Sequence, residues 1–198
     1  MNTLWMPCLL AFLLMAFTLP AEPSRWVVQR GSTVAVKGKT NINSYGCGIS
    51  SFEGCDTISM TPHPASPQSM LLNGCIYLDV ARFDCINRMM TAELRKTLQA
   101  DKHPKLKIKF ITLGKIAVGT NRKEEDCGIV EMEIAGVKRR YPIQYCYTIG
   151  SDANTIVIAG QKTLCFSDFS LIPPRKLNGM VQAKDELEVQ FHLVMRKI

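Results

Sequence analysis

Cys75-Ile-Tyr-Leu-Asp-Val80, Asn87-Arg-Met-Met-Thr-Ala-Glu-Leu-Arg-Lys-Thr-Leu-Gln-Ala100 and Lys105-Leu-Lys-Ile-Lys-Phe-Ile111 follow one another in the chain, and each keeps its own rhythm. The first alternates, with Ile76, Leu78 and Val80 on one side and Tyr77 and Asp79 on the other, as a half-buried strand does. The second switches to a helical period that puts Met90, Leu94 and Leu98 on one stripe and leaves Glu93, Arg95, Lys96 and Gln99 largely on the polar side. Asn87 suits an N-cap, and Pro104 biases His103 towards an extended backbone, so the spacing predicts a helix that stops near Lys102. The third alternates again, with Leu106, Ile108 and Phe110 facing one way and three lysines the other. A strand greasy on one side only separates an apolar interior from water.

The rest of the chain fits around this strand, helix and strand. Its 198 residues suit one domain or two small ones, and the composition is that of a folded globular protein. Residues 1–21 carry no charged side chain, hold an apolar run from Leu9 to Phe17 and end in Leu19-Pro20-Ala21. They read as a secretory signal, leaving an exported domain at 22–198. The apolar run is shorter than the ~20 residues a membrane span needs. All of the +7 charge then sits on the domain, as do seven of the eight cysteines once Cys8 goes with the signal. An oxidising compartment allows disulfides, and an odd count leaves at least one thiol outside intramolecular pairs. Cys47 and Cys85, which flank the first long loop, are the pair we expect.

Val34 and Val36 alternate with Thr33, Ala35 and Lys37, so Trp26 to Thr40 reads as two short strands or one bent one. From Asn41 to Gly74 the composition turns to Asn, Ser, Gly and Pro, which reads as an irregular crossing. Asn121 to Asp126 is a solvated charged tip. Gly128–Ile134 and the stretch setting Tyr141, Ile143, Tyr145 and Tyr147 on one face make a hairpin about Ala135-Gly136-Val137. Thr155–Ala159, Gln161–Phe166 and Leu187–Met195 add further strands. With about seven to nine strands and one helix, the fold class is mainly β, an antiparallel barrel of about eight strands, because closure removes exposed sheet edges.

Gly38-Lys-Thr-Asn-Ile-Asn43, Leu78-Asp-Val-Ala-Arg-Phe-Asp-Cys-Ile-Asn-Arg-Met-Met90, Leu98-Gln-Ala-Asp-Lys-His-Pro104 and Asp168-Phe-Ser-Leu-Ile-Pro-Pro174, with Gly179 and the closing strand, together resemble the YceI-like family. The resemblance runs over most of Trp26 to Ile198 and rests on order and spacing, not on one decisive motif. It implies a lipocalin-like barrel, exported across the inner membrane to the periplasm, that holds a polyisoprenoid or a related long-chain amphiphile and does no catalysis. The many cysteines and the Gly46-to-Pro67 loop depart from the simplest members, the loop being placed to narrow one mouth.

On that reading, the lumen is lined by Leu78, Met90, Leu94 and Met132, by Leu106, Ile108 and Phe110, and by Leu187, Val189, Phe191 and Leu193. The same rows would fill a solid core equally well. Lys105 at the helix-to-strand turn, Arg140 at the hairpin and Arg175 beside Pro174 are placed to attract a phosphate or carboxylate head, or else to stand as separate solvated turns. Contact with a membrane surface and a homodimer are both compatible with the sequence. Nucleic acid is a poor partner, since the aromatics sit on alternating strand faces and match no RNA-binding motif. No Gly-x-Ser-x-Gly elbow, His-Glu-x-x-His or phosphate loop occurs, so we expect no catalytic residues. His63, His103 and His192 lack ligand spacing and no cysteine pair has zinc spacing, so we expect no metal and no cofactor beyond a bound lipid. A surface interaction module with a filled core is the rival reading, and a reactive thiol the third.

Overall fold

The computed structural model describes residues 22–114, 116, 126–150, 152–176 and 179–198. The leader expected at 1–21, and 121–125 of the charged tip, lie outside them. Thirteen strands form the sheet: β1 (Ser24–Val28), β2 (Thr33–Thr40), β3 (Ser44–Ile49), β4 (Thr57–His63), β5 (Ser66–Asn73), β6 (Cys75–Asp79), β7 (Asp84–Cys85), β8 (Lys105–Gly114), β9 (Asp126–Ile134), β10 (Val137–Ile149), β11 (Thr155–Cys165), β12 (Arg175–Lys176) and β13 (Val181–Lys197). Helix α1 covers Arg88–Thr97, and 3-10 turns occupy Val80–Arg82 and Ser167–Phe169.

The ladders close into a ring of eight antiparallel strands, in the order β1-β4-β5-β8-β9-β10-β11-β13 and back to β1. Three of its walls are bent strands made of two pieces. β1 and β2 follow each other along β13, with Val28 opposite Met195 and Thr33 opposite His192. β3 and β4 follow each other along β2 and β1, and β5 and β6 along β8. Both faces of every strand are therefore assigned. The inner rows make one apolar core that includes Val28, Ile58, Ile76, Phe110, Val130, Tyr145 and Ile158.

The irregular crossing expected from Asn41 to Gly74 is instead three strands, β3 to β5. The reading failed because Gly46 and Gly48 occupy the outward positions between Tyr45, Cys47 and Ile49, hiding the alternation. Pro62 also sits where a strand interior would forbid it. β4 meets β1 only between Thr57 and Met60, so at Pro62 one side of the strand is an edge with no ladder to break. Pro67 likewise precedes the Ser69–Leu71 stretch of β5 that pairs with β8. Gly160 does not divide its segment either, and β11 runs unbroken through it. β13 begins six residues before Leu187, with a register shift between Ala183 and Leu187.

Asn87 caps α1, its side chain accepting from the Met89 amide at 2.8 Å. The helix ends at Thr97, ahead of the expected Lys102, because Gln99 turns left-handed at φ +54°. The Ala100 amide then reaches the Arg95 carbonyl and the Gln99 amide the Lys96 carbonyl, both at 3.0 Å, which satisfies the last carbonyls. The hairpin after β9 turns as expected, through Ala135 at φ +48° and Gly136 at φ +80°.

Candidate functional site

The two ends of the barrel differ in how well the inner rows are covered. At the end formed by β1, β4 and the close of β13, Val28, Ile58, Ile156 and Met195 are all 3% exposed or less. At the other end, inward-facing Tyr45, Ile108, Ile134, Tyr141, Leu187, Val189 and Phe191 are only half-buried. That end gathers the β2–β3 hairpin, the β7–α1 connection, the segment from Ser167 to Lys176 and the start of β13. Here an apolar cleft of about 170 Å³ opens between α1 and the barrel. Tyr45, Cys47, Met90, Leu94 and Phe166 form its walls, with Asn43, Asn87, Glu93 and Lys176 at its margin.

Two fastenings hold α1 across the cleft. The Cys47–Cys85 disulfide, the pair expected from sequence, joins β3 to β7, and β7 leads directly into the helix cap. Glu93 on α1 pairs with Lys176 on β12 at 2.5 Å. The buried Thr91 hydroxyl accepts from the Cys85 amide at 2.9 Å, tying the first helical turn to the same strand.

Inside the cleft, the Tyr45 ring lies over Gly38, where a Cβ would collide with it. Its hydroxyl is buried and has no hydrogen-bond partner among the described residues, and burial pushes its pKa up. Across the ring on β10, outside the cleft's lining, the Tyr141 hydroxyl donates to the Asp168 carboxylate at 2.8 Å, while the same carboxylate accepts from the Cys165 amide at 3.2 Å. Burial first, then the hydrogen bond to Asp168 and its charge, raise the pKa of Tyr141. Burial also pushes the Cys165 thiol up, which works against a reactive thiolate at that position.

The expected lumen residues divide into two groups. Leu78, Leu94, Leu106, Phe110, Met132 and Leu193 are buried in the core. Met90, Ile108, Leu187, Val189 and Phe191 remain half-buried, and Met90 and Leu94 line the cleft. The three expected head-group residues do not converge. Lys105 is exposed at the start of β8, on the opposite face from Leu106. Arg140 is engaged on the outer wall by Glu131 at 2.8 Å, and exposed Arg175 stands beside cleft-lining Pro174 and Lys176.

Sequence reasoning missed Lys162. The inner row of β11 reads Ile156, Ile158, Gly160, Lys162, Leu164, so this ammonium faces the interior, 5.4 Å above the Tyr141 ring. Arg139, not Arg140, occupies the inward register of the hairpin, directly opposite Met132. Carrying the Tyr141 row back by two residues would have placed it.

No protein-family profile and no curated protein matches the sequence. Solved structures do match it in shape. BcnA of Burkholderia cenocepacia superposes with a TM-score of 0.58 at 17% identity, covering 82% of this chain and 95% of that one. A polyisoprenoid binding domain from Saccharophagus degradans, implicated in plant cell wall breakdown, gives 0.58 at 11% identity over 89% and 100%. The YceI protein of Campylobacter jejuni gives 0.51 at 16% identity over 81% and 84%. The chain has the YceI fold. Identities this low make the likeness one of architecture: the YceI barrel is shared, while the cleft residues are read from this chain alone.

Proposed function

We propose that this YceI-fold protein is an exported, periplasmic binding protein that takes up a polyisoprenoid or similar long-chain amphiphile between α1 and the barrel and releases it unchanged. The observation that carries the reading is the open apolar cleft under α1, walled by Tyr45, Cys47, Met90, Leu94 and Phe166, at the end of the barrel where the inward-facing rows are only half-buried. A side chain on the inner face of a closed ring that keeps access to solvent borders space a hydrocarbon can fill. The polyisoprenoid binding domain of like fold supports the choice of ligand class. Each five-carbon unit buries on the order of 100 Å² and contributes about 2 to 3 kcal/mol before the costs of binding.

The cleft's volume of about 170 Å³ falls below the ~300–1,000 Å³ of typical ligand sites. A chain of several units therefore needs α1 to swing or Met89 and Met90 to repack. Methionines on that wall make repacking cheap. The rim suits loading from a membrane surface. Ile42, Ile86, Met89 and Met180 stand exposed around the opening, among Arg88, Arg175 and Lys176. Among the described residues no helix is long and apolar enough to cross a membrane.

The test is extraction of protein purified from its native compartment, followed by mass spectrometry, with a thermal-shift series against added prenyl lipids. We expect a co-purifying prenyl or fatty amphiphile and a raised Tm. No recovered lipid and no shift would return the chain to the interaction-module reading.

A further inference from the structure

Two polar groups face the apolar interior on adjacent rungs of the barrel. The outer rung runs Leu164, Leu187, Gly38, Tyr45 across β11, β13, β2 and β3, and the next rung in runs Lys162, Val189, Val36, Cys47. Tyr45 and Cys47 line the cleft, and half-buried Leu187 and Val189 continue the same two rungs from there to β11, where Lys162 stands beyond the cleft's own lining. Among the described residues no carboxylate lies within 4.0 Å of the Lys162 ammonium, whose recorded partner is the face of the Tyr141 ring. Three other basic groups at this end are engaged, whereas Arg88, Arg139 and Arg175 stand exposed to solvent on the rim. Lys138 pairs with Glu133, Arg140 with Glu131 and Lys176 with Glu93. Lys162 differs from them in direction as well as in partnership. A half-buried cation and a buried, unpartnered hydroxyl on the same apolar wall are ready to recognise an acceptor that arrives between them.

We infer that Lys162 and the Tyr45 hydroxyl form a head-group site for an anionic amphiphile, the ammonium pairing with a carboxylate or phosphate oxygen and the hydroxyl donating to another. Exposed Arg139, at the inward register of the hairpin, adds positive charge on the rim side of the Tyr141 ring. Asp168 serves as a positioning residue by holding the Tyr141 hydroxyl, which keeps the ring under the Lys162 ammonium. The inference rests on the carrier reading and narrows it from oily chains in general to those ending in a negative charge. A neutral alcohol of the same length gains the burial but loses the charge-assisted hydrogen bond, a difference of about tenfold or more in affinity.

The test holds the tail constant and varies the head. The intact domain is titrated by calorimetry with farnesoic acid, farnesyl phosphate and farnesol. We expect one or both anionic ligands to bind at least tenfold more tightly than farnesol, and the acid and phosphate arms to show which oxyanion the site prefers. Lys162→Met should cut the anionic affinities at least tenfold more than it cuts that of farnesol, and Lys162→Arg should retain most of the preference. Tyr45→Phe should lower the anionic affinities in the same direction by a smaller factor. Farnesol binding as tightly as both anions, or Lys162→Met weakening all three equally, overturns the head-group site while leaving the carrier. No binding of any of the three to the unmodified protein overturns both. If Lys162→Met does not fold, Lys162→Gln and the head-group series on the unmodified chain still decide.

Discussion

The closed end of the barrel and the end beneath α1 are built from the same residue types on the same ring, yet they do different work. At the closed end Ile58 has no exposed surface and Met195 is 1% exposed, and both sit in a ladder that joins β4 through β1 to β13. Nearby, the Tyr145 hydroxyl oxygen accepts from the Gly114 amide at 2.7 Å, so even the buried polar atoms there are satisfied. At the other end the rows continue as Leu187, Val189 and Tyr45, but the covering is a single helix fastened by a disulfide and an ion pair. Apolar alternation thus encodes a core and a binding surface in the same letters. What separates them is whether a second layer covers the row.

That contrast breaks most readily under truncation. Ile58→Ala should destabilise the domain by about 2 to 5 kcal/mol, because the surrounding ladders hold the cavity open. Val189→Ala, half-buried on the open side, should cost less than about 1.5 kcal/mol and act chiefly on ligand affinity. Paired urea melts and lipid titrations of the two variants check this. Equal losses of stability would mean that the two ends are packed alike, and the site would lose its basis.

Replacing both disulfide cysteines by serine sharpens the comparison. The bridge closes a separation of 38 residues, and its loss should lower stability by about 2 to 4 kcal/mol. Because β7 and α1 depend on it, the loss should also fall unevenly. Hydrogen exchange should accelerate in 84–97 well before it does in β4 or β13. A uniform acceleration would show that the bridge staples the whole domain and not the helix over the cleft.

The strand–helix–strand centre was legible because each piece is long and keeps one period, and the eight-stranded closure followed from the number of one-sided strands. Strands β3 to β5 were not legible, since glycine at outward positions and proline at a local edge carry the signals of loops. The site was legible only in its apolar half. Treating Gly160 as a break reset the alternation and hid the inward position of Lys162. Choosing Arg140 from a run of three basic residues ignored that Tyr141 already fixed which neighbour points in. Both errors concern register, where a one-residue slip exchanges the lumen for the surface.

The smallest effect on stability, and the one most specific to the open end, concerns its rim. Residues 41–43, 86–89, 172–176 and 179–182 form the lip of the cleft and contain Arg88, Arg175 and Lys176 but no Asp or Glu. Ile42 is 68% exposed, Met89 65% and Met180 69%, while Ile86 is fully exposed. Exposed apolar side chains gathered with cations of one sign suit the interface of an anionic bilayer. With Lys176 partly neutralised by Glu93, two unpaired cations at about 1 kcal/mol each predict roughly 30-fold tighter binding to vesicles containing phosphatidylglycerol than to phosphatidylcholine alone. Flotation assays should show that preference fading as salt rises and the Debye length shrinks. Ile86→Ser with Met89→Ser should weaken vesicle binding while leaving the urea melt nearly unchanged, since Ile86 is fully exposed and Met89 largely so. Indifference to lipid charge, or an undiminished double variant, would make the exposed rim a surface without a membrane partner and leave the cleft to load from solution.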